Sequence, residues 1–507
     1  MTDAAARETE LKFLVDPGAA GALFDALPPG TDKAARTLVS TYFDTDDQAL
    51  RRAGFSLRLR EGVQTVKSLA PLEGVFGRGE WEAPAAGDAP DPDFVAGTPA
   101  GAFLGEAAPS PRFRIQVSRR VRLVERGGAS IEAALDQGAV EAGAHGGGLC
   151  ELELELRSGP TAALFDLARD LARIAPMTLA FASKADRGFA LLDGLAPAPR
   201  APAPAPVLTE AMSAGAAFQA VGRAGLAALA ANAESLRVRP GPEGVHQARV
   251  AARRLRSALS LFRPVAGDAG RAAVADELKW LARELDAARN LDVFIGEVWA
   301  PQARRGVAAP EDRAGLAAFG RALLAAQTRA YVQVAEAVSS ARFRALLLEA
   351  AAWLEVGPWT AAAAPSAAER DAPAAVFAAQ ALTRRRDAVV RRGRDLAGLD
   401  AEARHRLRIA AKKLRYAAED FAGLFPSHPK RRRRFVAAVK AVQDALGAAN
   451  DLAFSAGLAQ GVALEGGEVE AAFAAGRLAG AKAGDEPRLL AAAQAACDAL
   501  AKAEPFW

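Results

Sequence analysis

A chain of 507 residues, half of them apolar and about a quarter charged, is too long for one ordinary core and reads as two or three globular domains. Its net charge of +4 hides an asymmetry: the first 200 residues carry 22 Lys and Arg against 28 Asp and Glu, the remainder 42 against 32, so a polyanionic partner is expected of the C-terminal part. Cys150 and Cys497, the only cysteines, fall in different predicted domains, which argues against a disulfide framework and fits a reducing compartment. There is no basic segment followed by an apolar run at the N-terminus, and no charge-free apolar window of about 18 residues. The expectation is therefore a cytoplasmic chain without a membrane partner.

The first strand-like stretch spans residues 8–15. Side chains alternate along a strand, so Glu8, Glu10 and Lys12 share one side and Thr9, Leu11 and Phe13 the other. Taken alone, such a strand is half-exposed with its charges in water. A helix over 18–26 and a Pro28-Pro29-Gly30 turn follow. Alternating segments then recur at 36–43, 55–60, 63–69, 78–83, 112–124, 129–135 and 150–156, mostly separated by turn residues, which predicts an antiparallel sheet or barrel of about eight strands. Arg58 and Arg60 alternate with leucines, as do Glu151, Glu153 and Glu155. Recurrence of charged faces turns the reading toward a charged interior. A helix near 160–174 and the stretch 183–192 complete this domain. The run LAPAPRAPAPAP from Leu195 to Pro206 forbids helix and favours an extended linker of about 3.1 Å per residue.

Beyond the linker nearly everything has helical period, and a repeat of about 160 residues appears. HQARVAARRLR from His246 matches HRLRIAAKKLR from His405, and the segment Lys279 to Leu291 aligns with Lys440 to Leu452. The repeats run over about 208–356 and 374–507, joined by a Pro- and Ala-rich stretch from about Gly357, and read as two related helical bundles side by side. Positions 0, 3, 7 and 10 from each His fall within about 80° around a helix. His246, Arg249, Arg253 and Arg256 thus form one stripe, and His405, Arg408, Lys412 and Arg415 its counterpart. A single charge run is usually a solvated face, but a solvated face has no reason to recur in register, and clustered cations need an anion or buried acidic partners to offset their repulsion. The scattered histidines lack metal-ligand spacing and suit phosphate donation better. The run Lys430 to Arg434 either extends the basic surface or is an exposed helix start.

The N-terminal pattern resembles the CYTH domain, the triphosphate tunnel metalloenzyme family. Glu8-x-Glu10-x-Lys12, Tyr42-Phe43-Asp44-Thr45, Leu57 to Arg60, Val66-Lys67-Ser68, Ile131 to Gly138, Cys150 to Leu156 and Ser183-Lys184 follow in that family's order over roughly residues 5–195. The duplicated His-x-x-Arg helix resembles the CHAD domain, a conserved-histidine helical domain associated with polyphosphate, over roughly 208–507. One departure is Asn290, where the second repeat has Asp451 and the family usually has Asp.

Together the resemblances imply a multidomain α+β chain: an eight-stranded antiparallel β-barrel tunnel with flanking helices over 1–195, a linker over 196–207, and an all-α domain of two pseudo-symmetric bundles over 208–507. Carboxylates at Glu8, Glu10, Glu151 and Glu153 would share divalent metal, Mg²⁺ or Mn²⁺, since hard cations prefer oxygen ligands. Lys12, Arg58, Arg60, Lys67, Arg119 and Lys184 would hold phosphate oxygens. Arg114, Arg120 and Arg122 have the parity of a polar face and Arg119 does not, yet its spacing to Ile131 ranks it first, a bulge being one reconciliation. Arg78, Glu80 and Glu82 divide between rim contacts and solvation, Glu155 is a third acidic ligand or the strand's outer end, and Asp136 reads first as a turn residue, with a site role as what the resemblance allows.

The expected function is metal-dependent hydrolysis of inorganic triphosphate. The helical domain would bind inorganic polyphosphate through both stripes with Lys279 and Lys440, which implies a cytoplasmic site near polyphosphate granules. The rivals are an organic triphosphate substrate, as in thiamine triphosphatases or adenylate cyclases, and a non-catalytic polyphosphate scaffold. Nucleic acid is not expected, because no recognition motif or base-stacking aromatics accompany the basic helices.

Overall fold

The computed structural model describes residues 9–68, 79–104, 107–194, 206–305, 310–466, 469–480 and 486–507. Glu8, Arg78 and most of the Pro/Ala-rich linker lie outside them. The chain divides into two compact units: residues 1–200 with 230–239 and 339–356, and residues 201–229 with 240–338 and 357–507.

The first unit is built on β1 (Glu10–Val15), β2 (Gly30–Asp44), β3 (Phe55–Arg60), β4 (Val63–Ser68), β5 (Glu80–Pro84), β6 (Ser110–Arg126), β7 (Ala129–Ala142), β8 (His145–Ser158) and β9 (Met177–Ala180). They form one antiparallel sheet in the order β5-β4-β3-β2-β6-β7-β8-β1-β9. The expected closed barrel of eight strands is corrected on two counts. A ninth strand, four residues long, pairs with β1 at Lys12↔Ala180, and β5 and β9 are the sheet's edges, with no pairing between them among the described residues.

Alternation gives the sheet two different faces. Leu11, Phe13, Ile131, Ala133, Leu135, Leu152 and Leu154 are all buried on one face. The register puts Glu10, Lys12, Asp136, Glu151 and Glu153 on the other. That second face is not charged throughout. Toward one end it carries Tyr42, Ile115, Val117 and Val140, packed with Phe189 from helix α2 (Lys184–Leu192); helix α1 (Ala162–Ala172) precedes it in the chain. The motif Tyr42 to Thr45 proves architectural: Tyr42 stacks on Phe113 at 4.7 Å, and buried Asp44 accepts the backbone N–H groups of Thr45, Leu50 and Arg51 at 2.8–3.0 Å.

The second unit is helical. Its stripe-bearing helices are α3 (Pro242–Leu261) and α5 (Ala401–Asp420), each followed by a partner, α4 (Ala269–Phe294) and α6 (Pro429–Gly466). Pro242 opens α3 at a position where the missing N–H is no loss, and Asp268 and Asp400 cap α4 and α5 by accepting the N–H groups of Arg271 and Ala403. The halves are not separate bundles side by side. Phe262 after α3 packs on Phe218, Phe377 and Phe421 with centroids 4.9, 5.1 and 5.6 Å away, so one aromatic core serves both halves. Across it, Arg253 donates to the Tyr416 hydroxyl at 2.7 Å, and Arg254 pairs with Glu419 and Asp420 at 2.7 and 2.8 Å. Among the described residues one helix, Ala214–Val238, is long and apolar enough to cross a membrane by length and composition alone; it buries Arg223, Asn232 and Ser235.

Candidate functional site

The charged face of the sheet gathers its side chains from five elements. Lys12 on β1 lies directly across from Glu153 on β8 and reaches it at 3.2 Å, with Glu10 at 3.3 Å on the other side. Arg119 on β6 lies across from Asp136 on β7, and its guanidinium grips both Asp136 oxygens at 2.7 and 2.6 Å, then Glu153 at 2.9 Å. Lys184 enters from α2. Ser183 accepts the Asp186 N–H at 3.0 Å while Asp186 accepts the Ser183 N–H at 2.8 Å, a reciprocal cap that fixes the first turn and aims Lys184 at the sheet. Its ammonium meets Glu153 at 2.6 Å and both Asp136 and Glu151 at 3.0 Å.

Burial and charge oppose each other throughout this cluster. Burial pushes the Lys12 ammonium down, yet Glu10 and Glu153 outweigh it and hold Lys12 above its ordinary value. Burial would raise Glu153, but Lys184, Lys12 and Arg119 hold it well below the usual carboxylate range. Lys184 is likewise held well above its ordinary value, its burial outweighed by Glu153, Glu151 and Asp136. All three groups are therefore charged at neutral pH.

A second row lies on β3 to β5. Arg58 donates to Thr65 at 2.9 Å, and Thr65 donates to Glu82 at 2.9 Å; Lys67 pairs with Glu80 at 3.0 Å. Arg60 differs, having no carboxylate within ion-pair distance among the described residues. Burial lowers its guanidinium, and the Arg58 and Arg119 cations lower it further. The buried Arg58 Nε also finds no acceptor. Glu82 lies 3.6 Å from Arg58 and Glu80 pairs with Lys67, so the cation of this row left without an ion-pair carboxylate among the described residues is Arg60; a partly buried cation of that kind favours an anion beside it.

The sheet thus brings Glu10, Lys12, Arg119, Glu151, Glu153 and Lys184 together, with Arg60 within electrostatic reach of Arg119. Arg120 and Arg122 face away, packing over Phe24 and pairing with Asp25 and Asp32. Between Phe113 and Arg119 strand β6 carries no bulge, so Arg119 follows Ile115 and Val117 along a face that changes from apolar to charged. Asp136 lies in mid-strand and is fully buried, not in a turn. Arg187, one helical turn after Lys184 and bonded to Glu151 at 3.0 Å, escaped the sequence reading; its i, i+3 spacing from Lys184 was the available signal. Glu155 pairs with Arg157 at 2.7 Å.

The carboxylates have the oxygen chemistry of a hard cation. Among the described residues no three acidic, His or Cys side chains converge as a cage, and both Glu151 and Glu153 are engaged by cations. A divalent cation would therefore have one or two of these carboxylates to hold it. Of Glu10, Glu151 and Glu153, Glu10 has the fewest cation partners, Lys12 alone against two and three.

In the helical unit, Arg249 pairs with Asp286 of α4 at 2.5 Å, Arg253 is spent on Tyr416, and Arg415 approaches Glu419 at 3.7 Å. Burial lowers His246, and Arg289 lowers it further, so it is neutral at pH 7. His405 and Arg256 are exposed and Arg408 and Lys412 half-buried; Lys279 and Lys440 are exposed. Asp292 was missed from sequence: it accepts from Gln327 at 2.7 Å and from the Tyr331 hydroxyl at 2.9 Å.

Comparison with known proteins matches a CYTH domain to residues 6–189 and a CHAD domain to residues 220–460. A curated relative described as inorganic triphosphatase, from Haemophilus influenzae, is 30% identical over 193 residues, 36% of this chain and 55% of that protein. The chain therefore spans about half the length of that relative. The solved CHAD domain from the plant Ricinus communis is similar at 32% identity and a TM-score of 0.52, covering 59% of this chain and 98% of that one.

Proposed function

The chain carries a CYTH domain followed by a CHAD domain, and from that premise we propose that its sheet hydrolyses inorganic triphosphate with a divalent metal while its helical unit binds inorganic polyphosphate. The observation that carries the first half is Arg60, a partly buried guanidinium with no carboxylate within ion-pair distance among the described residues, beside the Arg58 and Arg119 cations. A linear triphosphate brings the negative charge that Arg60 lacks, and arginine forks match its paired oxygens. The triphosphatase relative supports the same reading.

On this reading Arg58, Arg60 and Lys67 hold one end of the substrate, and Lys12, Arg119 and Lys184 the other. Glu153, ionised by its three cations, is a poor proton store at neutral pH; it orients Lys12, Arg119 and Lys184. Asp136 and Glu151 steady Arg119 and Lys184 in turn. Glu8 and Glu10 would hold the metal, Mg²⁺ or Mn²⁺, which supplies charge neutralisation at the phosphoryl oxygens. Phosphoryl transfer needs mostly positioning and electrostatics, so no covalent nucleophile is required. In the helical unit His246, Arg249, Arg253, Arg256, His405, Arg408, Lys412 and Arg415 would contact polyphosphate with Lys279 and Lys440.

The test is phosphate release from triphosphate, long polyphosphate, ATP and thiamine triphosphate under Mg²⁺ and Mn²⁺. Preference for triphosphate supports the proposal. Preference for an organic triphosphate would replace the substrate, and retention of polyphosphate without any turnover would leave only a scaffold.

A further inference from the structure

The sheet's compact unit includes a short stretch from beyond the linker, residues 230–239. That stretch carries Glu234, on the helix Ala214–Val238 and within the residues matched to the CHAD domain. Its carboxylate accepts Arg187 Nη1 at 2.8 Å, while Arg187 Nε donates to Glu151 Oε1 at 3.0 Å. Both acids hold the Arg187 guanidinium above its ordinary value against burial. Nε and Nη2 form the edge that grips a carboxylate with two parallel bonds, and Arg119 uses those two nitrogens on Asp136. Arg187 stops one bond short. Its Nη2 is buried without a partner, and Glu151 Oε2 accepts no hydrogen bond either, lying instead 3.0 Å from the Lys184 ammonium as an ion pair.

We propose that Glu234 is a positioning residue for the triphosphate site: by holding Nη1 of Arg187 it keeps that guanidinium from closing a fork on Glu151, which leaves the second Glu151 oxygen to Lys184. The proposal rests on the triphosphatase reading above, in which Lys184 holds substrate phosphate. The guanidinium is planar and rigid, so a rotation that carries Nη2 to Glu151 Oε2 carries Nη1 away from Glu234. With Glu234 in place, that rotation breaks one charge-assisted bond as it makes another. Without it, Glu151 is the one acid within ion-pair distance of Arg187 among the described residues, and the closed fork is the stronger arrangement. Lys184 would then share Glu151 Oε2 with a second cation. It keeps Glu153 at 2.6 Å and Asp136 at 3.0 Å, so its ammonium shifts toward them and off the position that meets substrate.

The experiment measures kcat/KM for triphosphate with Mg²⁺ in the full chain. Glu234→Gln, which keeps the side-chain volume and removes the charge, should lower it by about tenfold, which is about 1.4 kcal/mol. Glu234→Asp keeps the charge and should recover part of that loss. The decisive background is Arg187→Lys, since an ammonium has no two-nitrogen edge with which to close a fork. There Glu234→Gln should cost less than about twofold, because the coupling runs through the guanidinium. Thermal unfolding of each variant separates lost aim from lost fold. Glu234→Gln turnover equal to that of the natural chain, or a tenfold loss that persists in full with Lys at 187, overturns the proposal. A natural chain that cleaves no triphosphate with Mg²⁺ or Mn²⁺ is a different outcome: it removes the triphosphatase reading, and the proposal with it.

Discussion

Replacing Asp136 with Asn tests whether the charged face is held by its internal ion pairs. Asp136 is fully buried, takes both prongs of Arg119 at 2.7 and 2.6 Å, and lies 3.0 Å from Lys184. Asn keeps the volume and removes the charge. Breaking a buried pair so that its partner is stranded costs about 3–5 kcal/mol. Here neither partner is stranded, because Arg119 and Lys184 both keep Glu153, at 2.9 and 2.6 Å. The expected loss is therefore about 2–3 kcal/mol, below the full range for a stranded ion, or roughly a thirty- to two-hundredfold change in the unfolding equilibrium. Hydrogen exchange of the β6, β7 and β8 amides reads this loss in the sheet unit itself. The pH dependence has a definite sign. Burial would raise the Asp136 pKa, but Lys184 and Arg119 hold it below its ordinary value. Its contribution is thus present above the ordinary carboxylate pKa and lost as pH falls through the lowered one, and Asp136→Asn should flatten that acid limb. Stability within about 0.5 kcal/mol of the natural chain, the scatter expected of neutral surface changes, with an unchanged acid limb, would refute the reasoning.

Three further outcomes follow from the same geometry. Arg60→Gln should leave apo stability unchanged or slightly higher, since Arg60 has no carboxylate to lose, yet lower kcat/KM for triphosphate by about 10²–10³ as for an oriented anion donor; a parallel loss of stability and activity would show a structural role instead. Ser183→Ala should cost about 1 kcal/mol through the lost cap and also reduce turnover, because Lys184 loses its aim; full activity would detach the cap from the site. His246, lowered by burial and then by Arg289, should gain a proton when a polyanion binds, so polyphosphate affinity should rise as pH falls from about 7.5 to 6, around the ordinary His pKa, and His246→Gln should flatten the profile. Without ligand the sign reverses: charging a His with a lowered folded pKa is penalised, so stability falls as pH drops from the unfolded pKa through the folded one.

Alternation made most strands legible, because a period of two survives whether the alternate residue is Arg, Glu or Thr. Strand β9 was not legible: Met177–Ala180 is too short to show a period, and its pairing with β1 is a tertiary event. Asp136 reads from sequence first as a turn residue, yet it lies buried in mid-strand. Gly138, two residues on, serves close packing: a Cβ there would lie 2.0 Å from the Gln116 carbonyl oxygen. Arg119 illustrates the opposite limit. Polar-face parity assumes one character per face, whereas this face is apolar at Ile115 and Val117 and ionic two residues later. The helical repeat was visible from its matched basic residues. The shared aromatic core was not, since Phe218, Phe262, Phe377 and Phe421 lie far apart in the chain and meet only on folding. Asp286 sat in plain view, but only the folded structure shows its pairing with Arg249 at 2.5 Å.

The most direct test of the central claim is triphosphate turnover by the full chain and by its Glu8→Gln, Glu10→Gln variant, titrated with Mg²⁺. The account predicts turnover that requires the metal and collapses in the variant, while triphosphate binding through the Arg58 and Arg60 row persists. Turnover that survives in the variant, or natural protein that binds triphosphate but never cleaves it with any divalent metal, would contradict it.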